Sequence, residues 1–250
     1  MKFNSFTLKL IAIFSSILLY FCSFGIIPDN MIWLKYLFGI LGSASFTLFG
    51  FLLNEAVRKT SSINKLVIRS LVCAVLCAFP YHAIMKVVYG KAADVTAYFS
   101  PALSALICIL AITTLDKLKD KKLQFALMFM VCLLAYLFNF YGAPFVFITV
   151  FIIHWYRNDF GKMAYLITSL NFAFCLVGLV FKFFINYDSV SELDLMIYQI
   201  GYILPLPLIK NYSETEGFKL KYFTYVFYPI LLTLFLMFLL GRVDFAYLIK

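Results

Sequence analysis

Runs of apolar residues long enough to cross a bilayer recur along the whole chain, and no other feature restricts its fold as strongly. Lipid offers the backbone no hydrogen-bond partner, so a span must be a helix of about 20 such residues or a closed barrel strand. Runs over roughly 6–27, 34–53, 66–85, 97–115, 123–141, 144–156, 164–186, 194–209 and 222–241 read as helical spans. The expected fold class is all-α: a polytopic transmembrane helix bundle of about nine spans with no soluble domain, forming a single integral membrane domain over 1–250. Charged residues make up 13% of the chain and hydrophobic ones 64%, whereas a soluble domain carries about a quarter charged residues. The first run follows Lys2 and Lys9 but exceeds the apolar region of a signal peptide, about 7–15 residues. It is read as a retained span.

Two runs promise irregular backbone. The sixth is short, and Gly142, Ala143 and Pro144 barely separate it from the fifth. The eighth carries Pro205 and Pro207 in YILPLPLI, and a broken helix at membrane depth survives only against protein or a wet cavity.

Charge then orients the bundle. With nine spans, one face receives the N-terminus and the loops after spans two, four, six and eight. Assigning each cation to its nearer face gives that face 15 of the 21 Lys and Arg, while the 12 acidic residues divide equally. The whole net charge of +9 falls on one side, which the positive-inside rule makes cytoplasmic. The N-terminus is expected in the cytoplasm and the C-terminus outside, in a bacterial inner or plasma membrane. Because topology explains the excess, nucleic acid is not an expected partner; the basic loops are short and lack aromatic stacking platforms. DKLKDKKL reads as a solvated turn meeting anionic lipid headgroups.

Polar groups within the runs are few. The six cysteines all fall in apolar stretches; Cys73 and Cys77 lie one helical turn apart, but with only His82 nearby they read as buried thiols, and no metal site is expected. Glu55 ends the second run and Arg69 begins the third. Position alone reads them as terminal side chains reaching the headgroups; the functional reading pairs them at the mouth of a cytoplasmic pocket. His82 follows Pro80 and Tyr81 near the outer end of the third run, and His154 ends the sixth; a lone interfacial His more often serves as a polar anchor than as a base. Asn139 and Tyr141 lie at the outer end of the fifth run. Asn171 and Gln199 are expected to hydrogen-bond between helices. No nucleophile elbow, phosphate loop, zinc-protease motif or dinucleotide fingerprint is present.

Several segments together resemble the TraX family, named for the conjugative-pilus protein that acetylates the N-terminus of pilin. LKLIAIFSSILLYF resembles its first helix. Residues 42–82 resemble its second and third, with Gly42, Glu55, Thr60, Arg69, Pro80 and Tyr81 at matching intervals. LFNFYGAPFVFITVFIIHWYRND resembles its Tyr-Gly hairpin, and Phe227, Tyr228 and Pro229 its final Phe-Tyr-Pro helix. The resemblance implies a membrane-embedded acyltransferase with acetyl-CoA as donor and a pilin or other membrane protein as acceptor. It also exposes departures. Leu19 and Tyr20 stand where the family's first helix supplies Asp-His, Ser43 replaces the Arg of Gly-Arg, and Leu231 replaces a His. Neither Leu nor Tyr replaces imidazole as a base near pH 7, since Tyr titrates at about 10.

Three functions compete. In the first, acyl transfer runs on a rearranged site with His82, Glu55 and Tyr81 catalytic and Arg69 binding the donor. In the second, a non-catalytic relative receives a partner helix on the small-residue face of Gly39, Gly42, Ala44 and Gly50. The third, a small-solute transporter, is disfavoured by the scarcity of intramembrane charge and the lack of repeat symmetry.

Overall fold

The computed structural model describes residues 2–89, 100–138, 140, 144–184, 196–213 and 223–248. Its helices are α1 (Ser5–Ser23), α2 (Ile32–Lys59), α3 (Ile63–Tyr89), α4 (Pro101–Leu115), α5 (Lys121–Leu137), α6 (Phe145–Tyr156), α7 (Phe160–Phe184), a short α8 (Leu206–Lys210) and α9 (Phe223–Leu248). Local chemistry sets several of their ends. Asn4 caps α1 by accepting from the Thr7 N–H at 2.8 Å, as N-cap residues do. Gly25 stops it at φ +64, with Ile26 N–H bonded back to Phe21 and Gly25 N–H to Cys22, the paired bonds of a glycine-terminated helix. Ser100 and Pro101 start α4, and Asp120 caps α5. At the α6–α7 turn Asp159 accepts from the Lys162 N–H at 3.1 Å, and its carboxylate lies 3.2 Å from the Lys162 ammonium. These contacts, the backbone bond foremost, hold the exposed Asp159 carboxyl below its ordinary value.

The chain gathers into two compact units, each discontinuous in sequence: residues 1–52 with 149–219, and 53–148 with 220–250. In the first, the backbones of α1, α2 and the segment 196–210 lie close together. Gly42 of α2 faces the Leu19 backbone, Gly39 faces the Tyr198 ring, and Gly201 lies on the Ile40 carbonyl. Small residues at such crossings let packing replace the hydrophobic drive that lipid removes. A shared cluster of Leu8, Ala12, Leu48, Ile153, Met163, Ile167, Leu206 and Ile209 fills the space between α1, α2, α6, α7 and α8. Phe3 bonds Asn211 and Ser213 through its backbone, so the start of the chain and the end of α8 share one end of the unit.

The end of the eighth run, where Pro205 and Pro207 predict irregular backbone, is broken. It forms a 3-10 turn over Gln199–Tyr202, a reversal, and then α8. Prolines at 205 and 207 remove two N–H donors, and carbonyls of the broken segment turn to α2. The Ser43 hydroxyl donates to the Tyr198 carbonyl and Thr47 to the Tyr202 carbonyl at 2.9 Å. Irregular backbone is thus sheltered against protein.

In the second unit α3 packs on α9 and α4, and α4 on α5. The inward stripe of α3 advances in steps of three and four: Leu66, Ser70, Cys73, Ala74, Cys77, Tyr81 and Ile84 are buried. Pro80 sits within the helix on the same side. Leu71, Val72, Val75, Leu76 and Phe79 face outward, as do Phe125, Phe129, Met130 and Leu133 of α5. Apolar faces this broad suit a bilayer rather than water.

Among the described residues the fold is all-helical. α1, α2, Ile63–Val88 and Phe160–Phe181 are long and apolar enough to cross a membrane, and Pro101–Leu115, Phe145–Tyr156 and Tyr225–Gly241 are shorter apolar helices. Among the described residues these are four full-length candidates and three shorter apolar helices, with the eighth run broken.

Candidate functional site

Of the four residues selected from sequence, Glu55 and Arg69 lie on either side of the α2–α3 turn. Glu55 Oε2 meets Arg58 Nη2 at 2.8 Å and Lys59 Nζ at 3.1 Å, three and four residues along its own helix. The Glu55 side chain is 14% exposed, so its charge is half-sheltered between two cations. Thr60 then closes the turn, its hydroxyl shared with the Ser62 backbone.

Tyr81 and His82 separate at once. One residue advances a helix by about 100°, so Tyr81, 2% exposed, joins the buried stripe while His82 sits on its half-buried flank. Thirteen residues separate Arg69 from His82, a rise of about 20 Å. Tyr81 thus shares a stripe with Ser70, Cys73 and Cys77, whose sulfurs lie 4.0 Å apart. All six cysteines are free, and among the described residues no three His, Cys, Asp or Glu side chains gather as metal ligands would.

The sequence reading missed Tyr225. This residue opens α9, and its hydroxyl shares a hydrogen bond with the Ser70 side chain while the charge of Arg69 reaches it. Two hydroxyls thereby pair where α9 packs on α3, within reach of the Arg69 charge. Only the family-like Phe227-Tyr228-Pro229 run drew attention there; the signal for Tyr225 was its place one turn before the proline, which has meaning only once α9 is known to lie on α3.

The positions where the resemblance expects polar groups are all buried: Leu19 at 3%, Tyr20 at 1%, Ser43 at 1% and Leu231 at 8% exposure. Leu19 lies against Gly42, so the first-helix and second-helix positions meet at one crossing. Tyr20 stacks on Phe24 with ring centroids 5.0 Å apart. Ser43 supports the broken segment. In the second unit Leu231 continues into Leu232, Phe235 and Leu239, an apolar stripe of α9. An ionised side chain at any of these positions would need a partner that apolar packing does not supply.

Two expectations are corrected. The small-residue face is not open to a partner helix: Tyr198 covers Gly39, Leu19 covers Gly42, Val150 stands 3.0 Å from a Cβ at Gly50, and Ala44 is buried. Among the described residues Asn171 does not bridge helices, since its Nδ2 bonds Ile167 of its own helix, and neither its Oδ1 nor the Gln199 amide meets a partner. His154 ends α6 half-buried. Asn139 and the stretch 141–143, with the hairpin expected there, lie outside the described residues.

No curated protein and no solved structure matches the chain. A family model described as TraX protein matches residues 5–240. With that match running across both compact units, the chain belongs to the TraX family.

Proposed function

We propose that this chain is a membrane acyltransferase that moves an acetyl group from acetyl-CoA to a protein amine, a pilin N-terminus being the acceptor its family suggests. The pairing of the Ser70 and Tyr225 hydroxyls within reach of the Arg69 charge carries this reading. A guanidinium binds phosphate through a planar fork of donors, and two hydroxyls beside it add directional bonds. Arg58, Lys59 and Lys65 stand at the same turn, so the anionic end of the donor has cations to meet at the end that charge makes cytoplasmic. The roughly 20 Å along α3 to His82 is then spanned by the extended arm of the donor, which brings the thioester toward Tyr81 and His82.

There the amine nitrogen attacks the thioester carbonyl, the C–S bond breaks, and coenzyme A leaves as the thiolate. The amine proton passes to His82, and the Tyr81 hydroxyl donates to the oxyanion while charge develops. Glu55 serves the donor end, fixing Arg58 and Lys59 in place. The protein acts in an inner or plasma membrane with its basic face in the cytoplasm.

A second reading rests on the burial of Leu19, Tyr20, Ser43 and Leu231. On that reading the chain keeps the fold and binds a membrane partner without chemistry. Labelled acetyl-CoA, inside-out vesicles and a co-expressed pilin separate the two. Acyl transfer predicts label on the pilin, lost in Arg69→Gln and His82→Ala. Label that survives both substitutions removes these residues from the site, and no label from folded protein favours the second reading.

A further inference from the structure

The first unit holds two amide side chains that its fold does not use. Gln199 is 2% exposed and Asn171 1%. Among the described residues neither Gln199 Nε2 nor Oε1 has a partner, and Asn171 Oδ1 has none after its Nδ2 bonds the Ile167 carbonyl at 2.7 Å. The 3-10 turn carrying Gln199 packs directly against α7, which carries Asn171. A buried Ser or Thr hydroxyl, as at Ser104 or Thr149, can rotate onto a carbonyl of its own helix. A Gln in a 3-10 turn has no such recourse, and buried polar groups are almost always bonded.

The surrounding backbone is not short of support. Ser43 and Thr47 satisfy the carbonyls on either side of Gln199, and Gly201 seats the turn against Ile40. The segment is therefore held in a broken form in which Gln199 meets no partner among the described residues. Discontinuous segments at membrane depth are where membrane proteins place polar substrate groups.

We infer that Gln199 and Asn171 form a binding site for a secondary amide, Gln199 Nε2 donating to its carbonyl and Asn171 Oδ1 or Gln199 Oε1 accepting from its N–H. The pairing is neutral, so it avoids the cost of ionised groups in lipid. Two ligands carry that group: a pantetheine chain and the backbone of a peptide acceptor. Naming those two sources rests on the acyl-transfer reading; the amide site does not.

The test uses the full chain in lipid nanodiscs, with pantetheine and an N-acetylated tripeptide amide as separate probes. Wild-type protein should bind one of them, and which one identifies the source. Gln199→Met and Asn171→Leu should each weaken that binding about tenfold, the worth of one neutral hydrogen bond. Gln199→Met should melt no lower than wild type, because it removes an amide that no described residue pairs, whereas Asn171→Leu also loses the bond to Ile167. Failure of wild type to bind either probe, or unchanged binding in both variants, overturns the inference. So does a lower melting point in Gln199→Met, which would mean that its amide holds the fold. Acetyl transfer in the same samples keeps the two proposals apart: Gln199-dependent binding without transfer sinks the acyltransferase and leaves the amide site, and transfer with an unaltered KM in Gln199→Met does the reverse.

Discussion

Gly42→Ala puts the α1–α2 crossing to a quantitative test. A Cβ at that position would lie 2.5 Å from Leu19 N and 2.6 Å from Leu19 Cα, about 0.9 Å inside the 3.4 Å where ordinary contact begins. The obstructing atoms are backbone, so no rotamer change relieves them and the two helices must part locally. A gap of 0.5–1 Å forfeits about a quarter to a half of the dispersion well at each atom pair. Overpacking of this kind costs roughly 1–3 kcal/mol, offset by roughly 1 kcal/mol of helix propensity gained over glycine. In lipid no hydrophobic term restores the loss. The net expectation is a loss of about 0–2 kcal/mol against wild type and about 1–3 kcal/mol against a control that gains the same propensity. Gly241→Ala provides the control, because a Cβ there meets nothing within 4 Å. Unfolding followed by circular dichroism in mixed micelles of rising dodecyl sulfate fraction measures both. Should Gly42→Ala prove as stable as Gly241→Ala, the close backbone approach, and with it the internal use of the small-residue face, is refuted.

Other substitutions test neighbouring claims. Ser43→Ala leaves the buried Tyr198 carbonyl without its donor and should cost about 1–3 kcal/mol in the same unfolding assay; a neutral result would mean that another group supports the broken segment. Gly25→Ala forces a Cβ into left-handed backbone at φ +64 and should lower stability by roughly 1–2 kcal/mol, although space around it is open. Glu55→Gln removes pairs that are partly exposed, so unfolding should shift by less than about 1 kcal/mol while donor binding weakens; a large stability loss would make Glu55 structural. Asp159 has a lowered value in the fold, so its stabilising contact is complete above the ordinary carboxylate value, about 4, and is lost as pH falls through the lowered one. The stability gap between wild type and Asp159→Asn should therefore stay constant near neutrality and narrow only in acid; a gap that closes between pH 6 and 8 would contradict the assignment.

The sequence by itself determined the solvent and the backbone. Apolar runs of bilayer length admit helices, and Gly25, Pro101 and Asp120 mark helix boundaries through local chemistry that needs no tertiary partner. The order of motifs from Leu8 to Pro229 was legible as family likeness, because it is a property of one chain read in one dimension. Tertiary structure decided what a residue faces. Gly39, Gly42 and Gly50 read equally well as an outward docking stripe or an inner seam, since the same small side chains permit either close approach; only the placement of Tyr198, Leu19 and Val150 chose the seam. Tyr81 and His82 are adjacent in sequence and were selected together, yet the helical turn between them sends one into the stripe and the other to its flank. Arg69 acquires Tyr225 only because α9, distant in the chain, crosses α3 at its first turns. The prolines at 205 and 207 announced irregular backbone, but which groups would satisfy it, and that Gln199 would meet no partner among the described residues, depended on where α2 and α7 stand.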